Sequence, residues 1–297
     1  MRIIYKRKII LLMVAFFLLF SFPYSISAKE NLSPITNSGK KWRIGYFEGE
    51  GYYEFTEQLK YLFEALISIR LIDKVEVPEM DTSEKDSARK FWSWMSRNTK
   101  SDYVEFVDDA FWSNTNEEDS CKVNKEDIYE RAVKEKYIDL MVAMGTVAGK
   151  CLSQQKEYNV NTMVMCASNP VYSEIVKNPE CSGVEHIHAT IEKDEFFNEI
   201  NLFYQLVGFK KLGIVYQDTP EGRVYAAIED ARRFKEEHHN DKVELVALRI
   251  PGGYSEEQRK EVLPEIYQDL AGQVDAIYIT EHLEENKDNI DLLKKLL

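Results

Sequence analysis

The stretch IDLMVAMGTVAGK, Ile138–Lys150, decides how the chain is read. Leu140 to Met144 is an unbroken apolar run, the length of a strand buried on both faces. It stops on Gly145-Thr146, and the small residues Val147-Ala148-Gly149 follow where a helix would open. A strand that hands over to a helix through a glycine is half of a β-α-β unit. The lack of bulk at the turn implies that something comes close to the backbone there.

Working outward, the same alternation recurs. Apolar patterning predicts strands over 40–47, 73–78, 102–107, 161–166, 211–216, 242–250 and 274–280. Helical spacing predicts helices over 54–71, 84–98, 125–136, 194–207, 220–237, 255–271 and 284–297, with one more opening at Ser168. Two such runs, 40–182 and 192–297, meet at one seam over 183–191. The expected fold class is α/β: two doubly wound parallel-sheet lobes joined by a hinge. The expected boundaries are 41–187 for the first lobe and 188–297 for the second.

Residues 1–28 read as a cleavable export leader. Arg2, Lys6, Arg7 and Lys8 precede a short apolar run, and SFPYSISA supplies small residues for cleavage. The competing reading is an uncleaved membrane anchor. No cysteine stands near the cleavage site, so no lipid anchor is expected, and the mature chain should be periplasmic and not membrane-embedded. Loss of the leader's four cations takes the formal charge from −13 to −17. Such an acidic surface argues against nucleic acid, which needs a basic face.

In open α/β sheets ligands collect outside the carboxyl ends of the strands. Small and hydroxyl residues recur at those ends, Thr146 and Ser168 among them. If both open helices, their hydroxyls and the helix N–H groups suit an anion; the plainer reading makes each an N-cap. GEGYYEFTE (49–57) is no dinucleotide fingerprint, since Glu54 stands where the third glycine belongs. No GxSxG or HExxH occurs, and Cys166 has no obvious histidine partner, so no catalytic constellation is expected. His186 and His188, with Cys181 upstream, are either a metal set or a polar strand at the hinge; the second reading is preferred. No cofactor is called for.

The segments DLMVAMGTVAGK, CASNPV, HIHA, GFKKLGIVYQDTPEGRVYAAIED and VDAIYIT, in this order, resemble the ABC transporter substrate-binding protein family. The resemblance covers about residues 41–290. It implies the type I periplasmic binding protein fold, in which two lobes close on a small ligand. It implies an exported receptor that delivers its solute to a membrane permease, or alternatively a sensing module feeding a signalling partner. An amino acid or a similar carboxylate-bearing compound is the implied ligand. Its carboxylate would meet Thr146 and Ser168, with Asn169 lining the cleft from the first lobe and Thr219 from the second. Asp218, Glu48 or Glu281 would hold its ammonium group. Tyr46, Tyr52, Tyr53 and Tyr216 would pack on its side chain. Members of the family continue past the point where this chain stops, so the second lobe is expected to be incomplete.

The four cysteines allow three pairings. The expected topology puts Cys121, Cys151 and Cys166 at the carboxyl edge of the first sheet and Cys181 at the other. A five-residue strand is about 17 Å long, whereas bridged Cα atoms lie within about 7 Å. Cys166–Cys181 is therefore disfavoured, and Cys121–Cys151 is the expected disulfide.

Overall fold

The computed structural model describes residues 34–49, 51–82, 84, 86–113, 120–279 and 294. The leader, Glu281 and, apart from Lys294, the helix expected over 284–297 lie outside them.

The first half of the chain runs β1 (Trp42–Glu48), α1 (Tyr53–Ser68), α2 (Ser87–Asn98), β2 (Val104–Trp112) and α3 (Ser120–Ile128), which continues as a π-helical turn, Tyr129–Lys134. Then come β3 (Leu140–Met144), α4 (Gly145–Ser153), β4 (Asn161–Met165) and β5 (Ile187–Ala189). The second half runs α5 (Glu195–Val207), β6 (Lys211–Gln217), α6 (Pro220–Tyr225), α7 (Ile228–Glu237), β7 (Glu244–Ile250), α8 (Glu256–Ala271) and β8 (Ala276–Ile277). Among the described residues the sheets are ordered β2-β1-β3-β4-β5 and β7-β6-β8. Every pairing between these strands is parallel. Both sheets lie in one compact unit, Thr36–Leu297.

The period-2 geometry of a strand explains why both faces of the first sheet are covered. Ile44 and Tyr46 of β1, with Val142 and Met144 of β3, pack against α1 and α2 through Leu59, Phe63, Phe91 and Trp92. Phe47, Met141 and Ala143 face the other way, onto Ala148 and Leu152 of α4. In the second sheet Leu212, Ile214 and Tyr216 meet Ile200 of α5 and Phe234 of α7. Val215 and Ile250 meet Leu263, Tyr267 and Leu270 of α8. Helices on both faces of parallel strands make each lobe doubly wound.

Four expectations need correction. Residues 73–78 form no strand; Val75 and Val77 place their side chains directly against the α1–α2 core instead. No helix opens at Ser168, because Cys166, Asn169 and Glu174 hold left-handed φ values of 55°, 38° and 59°, which interrupt helical hydrogen bonding. The helix expected over 220–237 breaks into α6 and α7 at Ala227, whose φ is 50°. The strand expected over 274–280 narrows to Ala276–Ile277. At the seam, Ile187–Ala189 pairs with β4 and belongs to the first sheet.

Candidate functional site

The group that comes close at the β3–α4 turn is a side chain of the protein itself. Gly145 has a φ of +86°, and a Cβ there would lie 2.5 Å from the Phe55 ring. Phe55 on α1 is buried and closes over the turn. Gly149 is small for a similar reason: a Cβ would stand 2.6 Å from Val164 and 2.9 Å from Ile175. The small residues of the opening motif let α4 lie tight on its neighbours.

Thr146 is buried, and its Oγ1 accepts from the backbone N–H of Ser168 at 2.9 Å. The carbonyl of Ser168 accepts from the buried Ser173 hydroxyl at 2.8 Å, and Asn169 Oδ1 accepts from the backbone N–H of Tyr172 at 3.1 Å. The two helix starts on which an anion site was expected are not both present, since only α4 begins there and the Ser168 N–H donates to Thr146. These polar groups instead hold the 166–176 segment in a fixed turn. Its product is the placement of Tyr172, a residue the sequence reading missed.

Tyr172 of the first lobe and Asp218, Thr219, Pro220, Arg223, Val224 and Glu229 of the second line one cavity of about 430 Å³. Thr219 caps α6, accepting from the Gly222 N–H at 2.9 Å, with Pro220 at the first helical position where its missing N–H costs nothing. Arg223, one turn in, lies 3.1 Å from Glu229 Oε1 and 3.7 Å from Asp218 Oδ1. Its guanidinium stands over the Tyr216 ring at 5.6 Å. Tyr216 itself is buried, so it supports Arg223 from below. Asp218 also meets Arg249 at 3.4 Å. The wall therefore alternates acid, base and acid. Across it, burial raises the Tyr172 hydroxyl pKa, with Asp230 adding to the shift.

Comparison with solved structures shows what this arrangement of lobes is. A conserved domain protein from Vibrio cholerae superposes with a TM-score of 0.51 at 13% identity, over 86% of this chain and 72% of its own. An ABC domain in complex with L-Trp from Streptococcus pneumonia gives 0.51 at 12% identity, over 85% and 69%. The ligand-free, open form of a substrate binding protein with adhesive properties from Clostridium difficile gives 0.50 at 14%, over 86% and 70%. The chain has the type I periplasmic binding protein fold. No family model and no curated protein matches it.

In this periplasmic binding protein fold the remaining candidates fall away from the cavity. Tyr46 is 0% exposed and stacks on Phe111 at 4.8 Å, so it has no face to offer a ligand. Its hydroxyl donates to Glu48 Oε2 at 2.6 Å, and the Ser113 hydroxyl donates to Glu48 Oε1 at 2.7 Å. Glu48 ends β1 beside β3, where the strand order reverses, and is 2% exposed. Burial raises its carboxyl pKa against the opposing pull of those two hydroxyls. Both its oxygens are thus held within the first lobe rather than offered to an ammonium group. Tyr52 packs edge-on against Phe55 at 5.4 Å. The Tyr53 and Cys121 side chains and Glu281 lie outside the described residues.

His186 sits on a turn, edge-on to Tyr158 at 5.5 Å, and burial lowers its pKa. His188 is exposed on β5. Among the described residues no group of three or more His, Cys, Asp or Glu is placed to hold a metal ion. Cys151 is disulfide-bonded, and Cys166 and Cys181 stand outside any disulfide. No described helix is long and apolar enough to cross a membrane.

Proposed function

We propose that this chain is an exported solute-binding receptor that takes an amino acid, or a similar compound bearing a carboxylate, between its two lobes. The observation that carries the reading is the cavity itself. Its volume of about 430 Å³ falls in the range of about 300–1,000 Å³ usual for small-molecule sites. It brings Tyr172 from one lobe against Arg223, Asp218 and Glu229 from the other. A zwitterion matches that wall: a carboxylate pairs with the planar fork of Arg223, and an ammonium group pairs with Asp218 or Glu229. Tyr172 supplies an aromatic face for the ligand side chain. In this reading an ABC permease is the membrane partner and the periplasm the compartment.

A thermal-shift screen against the free amino acids tests it, since a true ligand raises the melting temperature by mass action. Arg223→Gln should then weaken the best hit about tenfold or more by calorimetry, the scale of one lost charge-assisted hydrogen bond. Unchanged affinity in Arg223→Gln would remove the carboxylate assignment. A screen with no hit would remove the amino-acid class.

A further inference from the structure

Outside the cavity, an ion pair among the described residues crosses from lobe to lobe. Lys150 belongs to α4 of the first lobe and Glu221 to α6 of the second. Lys150 Nζ lies 2.7 Å from Glu221 Oε1, across 71 residues of chain. Neither residue lines the cavity. Among the described residues, the chain passes between the lobes at 190–194. Glu221 sits in the first turn of α6, where the helix favours a carboxylate. The Lys150 ammonium holds that carboxyl below its ordinary range. We infer that Lys150–Glu221 is a closure latch, a pair of positioning residues that biases the two lobes toward the closed arrangement without touching the solute.

The inference does not rest on the identity of the solute, because the latch works in its absence. Both side chains are partly exposed, so the contribution is that of a surface pair. That corresponds to about a two- to fivefold change in the ratio of closed to open molecules. High salt should weaken it.

The test is a distance distribution between spin labels in the ligand-free full chain. The labels are carried by non-cysteine amino acids at exposed Lys156 and Lys235. Lys150→Glu and Glu221→Lys should each lower the ratio of closed to open molecules by about two- to fivefold at low salt. The double reversal should restore it, and the milder Lys150→Gln should shift it in the same direction. Circular dichroism confirms that each variant is folded. Overlapping distributions in wild type and both single reversals overturn the latch, and so does a double reversal that fails to recover. Either result leaves the solute-binding reading standing.

Discussion

The side-chain oxygen of Thr146 accepts a hydrogen bond from the backbone N–H of Ser168 at 2.9 Å, joining the turns that follow β3 and β4. Two hydroxyl residues that suggest a ligand site are instead a brace. The brace sets the course of the 166–176 segment and thereby the position of Tyr172 at the cavity. Thr146→Val should cost about 1–3 kcal/mol, because the Ser168 N–H loses its partner in a half-buried turn. Ser168→Ala keeps that N–H and should cost much less, and Thr146→Ser should behave like wild type. Urea unfolding of the three variants compares them directly; equal losses in Thr146→Val and Ser168→Ala would contradict the brace.

Gly145→Ala should destabilise the first lobe on two counts. Its φ of +86° strains any L side chain, and its new Cβ meets Phe55 at 2.5 Å. Backbone strain and overpacking each cost about 1–3 kcal/mol. Phe55→Leu in the same chain should relieve the steric part but not the strain, so a double-mutant cycle should show coupling between the two positions. Strict additivity would place the whole cost in the backbone.

Glu48 should make stability pH-dependent. Its folded pKa is raised above the ordinary carboxyl value by burial. The neutral acid is therefore favoured in the folded chain, and its contribution is complete below the unfolded pKa and is lost as pH rises through the folded one. Glu48→Gln cannot ionise. Its stability relative to wild type should rise as pH climbs from about 4 toward neutrality. Denaturant midpoints at several pH values read this out, and parallel profiles for the two proteins would refute it.

With Cys151 bonded and Cys166 and Cys181 outside any disulfide, Cys121 is the expected partner of Cys151. Peptide mapping without reduction should recover a Cys121–Cys151 cross-linked peptide and find Cys166 and Cys181 modified by alkylation after denaturation. A cross-link to either of the latter would refute that pairing.

What the sequence determined by itself is the alternation. Runs such as Leu140–Met144 and Leu212–Tyr216 are too apolar to lie anywhere but between two helical layers, and hydrophobic periodicity is local enough to read along a line. The Thr219-Pro220 opening of α6 is equally local, a cap followed directly by a first-turn proline. The tertiary structure decided everything that depends on what lies opposite. Gly145 faces Phe55, about ninety residues away in sequence, so a turn built for packing looks like one built for a ligand. Tyr46 lies within β1 and Tyr172 in the turn segment after β4, and one is sealed under Phe111 while the other lines the cavity. Burial is a sum over neighbours brought together by the sheet order, and Lys150 meets Glu221 only when two lobes are set side by side. No spacing within either segment announces such a meeting.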